Sequence, residues 1–442
     1  MILKLLKDKF IKDSFVYVVG SVLGGLLGYV FHFVVSRKLS VSEYGELQSL
    51  LSLFSILGFF GSAITYFTVK YSSVFAKEKD YASNKQFLEW LESKIVKLSF
   101  LLLVLFFLIS PLIFEALHLK SYLGLVFVGI TLSLSVINMS YSGVLSGWQE
   151  FFSVSIVNVV NPLVKLISGF LIVLFFPKAS LVLSAFLFAS LNARIFYRIL
   201  IKKKFIGRKS DDGGVVINWK EKYFSHMDIS RSIAPILFFS LTIVLIQNID
   251  ILLVKNLTSS EITGYYGALS LLGKIVLWFN LAIVAVVLPN ACASGNLGGK
   301  VSRKINFSAY GLILFASLSA ILLYFFFPTL IISMLFGQKY ALFANDLWLF
   351  GVLALFLSLL SLEANFAYAR HNFRISYILA IVVIIMTGGI YFFHSSIREV
   401  ALSVVFAVTV GYFGVLFFNL FGRKKKVLES ALNICEPKII LN

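Results

Sequence analysis

The chain has 442 residues, of which 59% are hydrophobic and only 14% charged, and its net charge is +18. A water-soluble domain cannot bury that apolar share, and apolar runs of about 20 residues recur at the length a helix needs to cross a ~30 Å hydrocarbon core. The short alternating segments of a transmembrane barrel are absent, so the chain reads as an all-α polytopic membrane protein.

In chain order, the opening stretch MILKLLKDKFIKDSF sets lysines among Ile2, Leu3, Leu5, Leu6, Phe10 and Ile11 at helical spacing. No small-residue cleavage site follows the next apolar run, which predicts an interfacial helix leading into an uncleaved first span. Twelve spans are expected, at about 15–36, 49–70, 95–116, 121–145, 153–176, 179–200, 232–254, 264–289, 305–327, 347–367, 377–395 and 399–420. The first carries Gly20, Gly24 and Gly28 at four-residue spacing, a face for close backbone approach or for a flexible gating helix. The fourth carries Ser135, Asn138 and Ser142 on one face, where they serve either sugar hydroxyls or neighbouring helices. A basic loop, Lys202 to Arg231, separates the sixth span from the seventh. The expected division is an N-terminal six-helix bundle (1–201), a cytoplasmic linker (202–231), a C-terminal six-helix bundle (232–422) and a basic cytoplasmic tail (423–442).

Twelve crossings place both termini on one side. With that side as the cytoplasm, its segments and adjoining helix ends hold thirty of the 39 Lys and Arg, the opposite side holds seven, and Lys165 and Lys274 fall inside spans. This positive-inside bias turns the basic excess into a topology signal and an attraction to anionic lipids, and argues against nucleic acid as a partner. Cys292 and Cys435 imply no disulfide framework, and the sequence holds no metal-ligand cluster and no cofactor motif.

A matched loop marks an internal repeat. SRKLSVSEYGELQSLLSLFSIL, from Ser36, and VKNLTSSEITGYYGALSLLGKI, from Val254, align Leu39 with Leu257 and Glu43 with Glu261, an offset of 218. Halves of six spans share one membrane orientation and are related by an axis along the membrane normal.

These two stretches, with the small-residue first helix, the twelve-span plan and the basic central loop, resemble the polysaccharide and O-antigen flippases of the multidrug/oligosaccharidyl-lipid/polysaccharide exporter superfamily. The resemblance implies two six-helix bundles that alternately open a central cavity to either face of the plasma membrane. It implies a substrate of undecaprenyl-diphosphate-linked saccharide, with membrane lipids, a polysaccharide polymerase and glycosyltransferases as partners. Lipid II flippases of the superfamily typically have two further spans, which this chain lacks.

Charged residues at membrane depth are costly, about 2.5 to 3.5 kcal/mol on insertion scales, and are functional candidates by default. Asn158, Asn161 and Lys165 form one stripe on the fifth span, beside Pro162, which favours a kink. Tyr266, Ser270, Lys274 and Trp278 follow at four-residue intervals on the eighth. Both lysines lie near middle depth, where ammonium groups suit an anionic diphosphate; the alternative is an ion pair inside the bundle or a side chain reaching to the interface. Arg37 and Lys255 occupy matching places at the outer ends of the first and seventh spans, as interface anchors or transient phosphate contacts. Asp250 and Glu363 are expected either to bind a coupling cation or proton, or to balance a lysine. A cation-coupled multidrug antiporter would instead hold its substrate with carboxylates. A membrane glycosyltransferase or polymer ligase would need catalytic outer loops; here these are short, and the best candidates, Glu43 and Glu46, include one with a repeat counterpart, Glu261.

Overall fold

The computed structural model describes residues 9–205, 226–293, 300–369 and 372–421, and among them there are helices and no strands. Residues 1–8 of the expected interfacial helix, 206–225 of the linker and the basic tail lie outside the described residues, as do the side chain of Cys292 and all of Cys435. The helices are α1 Lys9–Lys38, α2 Val41–Leu57, α3 Phe60–Glu78, α4 Tyr81–Ala116, α5 Leu123–Gly147, α6 Phe151–Phe175, α7 Ala179–Val182 and α8 Ser184–Phe205. They continue with α9 His226–Leu257, α10 Ser260–Ala293, α11 Lys300–Phe326, α12 Pro328–Leu335, a 3-10 helix Gln338–Asp346, α13 Leu347–Ala369, α14 Ile375–Phe392 and α15 Ile397–Phe421.

Eleven of these segments are long and apolar enough to cross a membrane, and a twelfth crossing comes from α2 and α3 taken together. The second expected span, 49–70, is therefore a broken one, bent by 41°. The break falls at Gly58, in the sequence LGFFG, where a residue without Cβ weakens the helix and the bonds tighten to three-residue spacing, Phe59 N–H to the Ile56 carbonyl at 3.2 Å and Gly61 N–H to the Gly58 carbonyl at 3.0 Å. The matched loops do the same work twice. Ser40 caps α2 by accepting from the Glu43 N–H at 3.2 Å, and Ser259 accepts from the Ile262 N–H at 3.2 Å before α10 proceeds.

The chain divides into two compact units, Met1–Ser240 and Leu241–Asn442. Each is built around a helix that packs against three others. In the first, α5 packs against α3, α4 and α8; in the second, α13 packs against α10, α11 and α15. These are the fourth span of each half, so the repeat inferred from one loop extends to the packing.

One seam is not repeated. In the first unit α1 lies along α6, whereas among the described residues α9 forms no such seam with α14. The glycines explain it. A Cβ on Gly20 would lie 2.7 Å from Ser155 Cβ, and one on Gly24 would lie 2.1 Å from the Asn158 carbonyl oxygen, closer than any side chain allows. The helix α9 contains no glycine. That carbonyl is also the one Pro162 leaves without its helical partner, because proline four residues on has no N–H to give. Close approach of a glycine backbone, with its Cα–H groups, takes up the vacated side. Thus α6 continues through Pro162 to Phe175.

At one end of the first unit, Glu92 on α4 is held by Arg194 and, at 3.3 Å, by Arg198 on α8. Lys204 pairs with Glu150 at 2.7 Å, and Trp148 Nε1 donates to Asn84 at 3.0 Å. At the other end, Glu43 accepts from the Ala179 N–H at 2.7 Å and from Lys120 at 3.3 Å, so it caps α7. A glutamate committed in this way does structural work at the turn into α7.

Candidate functional site

Lys165 lies fourteen residues into the 25-residue α6, about 20 Å from its start and so near mid-helix. Its ammonium group sits 5.1 Å from the Phe31 ring and 4.8 Å from the Phe186 ring. The two rings meet edge to face at 5.4 Å. Gly28 faces it: a Cβ there would lie 3.8 Å from Lys165 Nζ, in ordinary contact. Among the described residues no carboxylate comes within 4.0 Å of this ammonium, and no hydrogen bond holds it. Cation–π contact is therefore its main compensation, on the order of 0.5 to 2 kcal/mol, well short of what a paired charge gains. The ion-pair alternative does not apply to this lysine.

The rest of the stripe follows. Asn161 has a buried side-chain carbonyl with no hydrogen-bond partner, and the Asn158 amide reaches Ser21 at 3.4 Å. Both side chains, like Lys165, are partly buried. One turn beyond Gly28 on α1 stands His32, with the Tyr44 hydroxyl 3.4 Å and the Gln48 amide 3.3 Å from its Nδ1.

Lys274 is differently placed. It is on the second span of its half, whereas Lys165 is on the fifth of its own, so the two are not repeat counterparts. Its ammonium donates to Asn248 Oδ1 at 3.3 Å, and Asn248 is oriented by donating its own N–H to the Val244 carbonyl at 3.0 Å. Nearby, Asp250 is 3% exposed. Its Oδ2 accepts from the Tyr266 hydroxyl at 2.9 Å, while its Oδ1 is buried without a partner. Asp250 and Lys274 act on each other electrostatically, yet they are not within 4.0 Å of one another.

The offset of 218 places His32 opposite Asp250 and Gln48 opposite Tyr266. In both halves the first two helices are thus joined by a polar pair at the same register, imidazole with amide in one and carboxylate with phenol in the other. Sequence reading missed His32 and Gln48, although applying the loop's offset to Asp250 would have found them. It also missed Phe31 and Phe186, which look like any core aromatic.

The other expected residues spread out. On the stripe of Lys274, Ser270 is buried and Trp278 is 58% exposed. Asn138 donates to the Ser190 carbonyl at 2.8 Å, and Ser135 meets the Ser190 hydroxyl at 3.4 Å, so this face of α5 serves its contact with α8. Arg37 is exposed at the end of α1. Lys255, expected as an interface anchor, is instead 1% exposed and bonded to the Ser260 hydroxyl; the turn into α10 folds over it. Glu363 on α13 is buried and accepts from Tyr310 on α11 and from Asn419 on α15. No basic group pairs with it among the described residues. Nor do these residues hold three or more His, Cys, Asp or Glu side chains grouped for a metal.

Residues 10–291 match the model of a family described as polysaccharide biosynthesis protein. A relative, an uncharacterized membrane protein of Methanocaldococcus jannaschii, is 27% identical over 297 residues, covering 65% of this chain and 68% of that protein. Among solved structures, the chain is similar to an inward-facing multidrug resistance MATE family transporter of the MOP superfamily, with TM-score 0.72 at 12% identity over 91% of this chain and 96% of the other. It is also similar to the lipid II flippase MurJ in an inward closed conformation, with TM-score 0.66 at 16% identity over 95% and 89% of the two chains. At such identities the likeness is one of fold: a multi-pass helical membrane protein with the architecture of MOP-superfamily transporters. The match over most of its length adds the lineage, and the chain belongs to the polysaccharide biosynthesis protein family.

Proposed function

We propose that the chain is a flippase that moves lipid-linked oligosaccharide or polysaccharide repeat units, of the undecaprenyl-diphosphate type, across the plasma membrane by alternating access. The observation that carries this reading is Lys165: an ammonium group near mid-helix, lacking any acidic partner among the described residues and flanked by Asn158 and Asn161. An uncompensated cation at that depth is retained at a cost in stability, and a diphosphate is the partner that repays it. Lys274 supplies the second contact. Asn138 and Ser270, turned into helix packing, take no part, and Arg37 and Trp278 remain peripheral candidates. Alanine at both Lys165 and Lys274 should abolish flipping of a fluorescent polyprenyl-diphosphate saccharide in vesicles while the protein still inserts. Full activity in that double variant would end the proposal.

A second reading, a cation-coupled multidrug antiporter, is favoured by one observation. Glu363 is a buried carboxylate facing only neutral donors, which suits a coupling proton or monovalent cation in either kind of transporter. Asp250, the other coupling candidate, faces Lys274. Vesicles offered a cationic dye and the lipid-linked saccharide in separate assays decide between the two.

A further inference from the structure

Lys165 and Lys274 differ in the groups that stand near them. In the first unit the group at the register of Asp250 is His32, and Lys165 has no carboxylate partner among the described residues. In the second unit a carboxylate is built in close to the lysine, buried, with one oxygen held by Tyr266 and the other unpartnered. A buried carboxylate oxygen without a donor is costly and draws any nearby cation. Lysine side chains on a helix lean toward its N-terminus, which on α10 is the direction of Tyr266 and hence of Asp250. Lys274 is nevertheless tethered to the neutral Asn248, out of ion-pair reach of Asp250. One flexible four-carbon stem separates two resting places for the same ammonium.

We infer that Asp250 is a resident competitor for Lys274: it takes over the ammonium as the substrate's diphosphate departs, and so sets how readily the anion is released. This deepens the reading of Lys274 as an anion contact and rests on it. Among the described residues, the groups that face Asp250 are Tyr266 and Lys274, both on α10. The exchange needs no co-reactant, because one carboxylate and one phosphate oxygen trade places on a single cation. It is a positioning role; Asp250 need not touch the substrate.

The test is binding of inorganic pyrophosphate to the purified full-length chain by titration calorimetry, paired with flipping of a fluorescent polyprenyl-diphosphate saccharide in vesicles. Asp250→Asn should tighten pyrophosphate binding about tenfold, the size of one lost charge competition, and lower maximal flipping while lowering the half-saturating concentration. Tyr266→Phe frees the second carboxylate oxygen for Lys274 and should shift binding the opposite way, so a variant that merely loosens the fold cannot imitate both results. In a Lys274→Ala background, Asp250→Asn should have no effect on binding. Unchanged or weakened binding in Asp250→Asn, with Lys274→Ala still weakening it, overturns the competitor role alone. Unchanged binding in Lys274→Ala overturns the anion contact, and the competitor role with it.

Discussion

The two lysines sit at the middle of helices in the two halves of one duplicated plan, yet the halves keep them by opposite means. Lys165 lies against aromatic faces and a glycine; Lys274 is held by an amide and watched by a carboxylate. The backbone seams differ in the same sense. The first half closes α1 on α6 through Gly20 and Gly24, whereas α9, with no glycine, reaches α10 through the side chains of Asn248 and Asp250. The two halves share the caps and the central helix, while among the described residues the bend at Gly58 belongs to the first alone. They do not share the charge at the clasp between the first two helices, where imidazole stands in one and carboxylate in the other. A pair of halves that differ this way can divide labour, with one lysine always available and the other conditionally so.

A graded set of substitutions would sharpen or break this contrast. The largest effect belongs to Lys165→Ala, expected to reduce flipping about 100-fold or more, the loss for a charged contact that no neighbour replaces. The same variant should be no less stable than the parent, because the change removes an uncompensated charge worth about 2.5 to 3.5 kcal/mol at the cost of weaker cation–π contacts. Lys274→Ala should do the reverse to stability. It removes the hydrogen bond to Asn248 and the cation nearest Asp250, and is expected to cost about 1 to 2 kcal/mol, partly recovered when Asp250→Asn is added; thermal unfolding in detergent reads both changes. If Lys165→Ala destabilises as much as Lys274→Ala, the contrast between the sites is wrong.

Gly24→Ala drives a methyl into the Asn158 carbonyl and should cost about 2 kcal/mol, while Gly25→Ala, with nothing within 4 Å of the added carbon, should be silent by the same unfolding measurement. The smallest expected effect is Glu43→Gln, about 1 kcal/mol, from weakening the cap on α7 and the contact with Lys120. Its counterpart Glu261→Gln, which gives up only a 3.3 Å bond to Tyr265, should be close to neutral. A larger loss at Glu261 would mean that the matched loops carry the same structural duty after all.

What the sequence made legible was periodic or chemical in a single helix. Apolar run length located the spans, the matched SEYGE and SEITG loops located the repeat, and the glycine spacing located a packing face that the structure assigns to α6. The bend at Gly58 escaped because one glycine in an apolar run is compatible with either a straight or a broken helix. The aromatic faces around Lys165 escaped because Phe31 and Phe186 lie on α1 and α8, and only packing brings them to α6. Lys255 misled because a lysine at a helix end ordinarily reaches to headgroups, and nothing local announces that a turn will cover it. The polar face of Asn138 was ambiguous for the same reason: an amide bonds a sugar or a neighbouring carbonyl with equal ease, and here Ser190 claims it.

The carbonyl that Pro162 orphans has a consequence for motion. Prising α1 from α6 would give up the Cα–H contacts to that oxygen, about 0.5 to 1 kcal/mol each, together with the close packing of the glycine face. The seam therefore favours keeping the two helices together, with the Lys165 ammonium and its Phe31 neighbour between them.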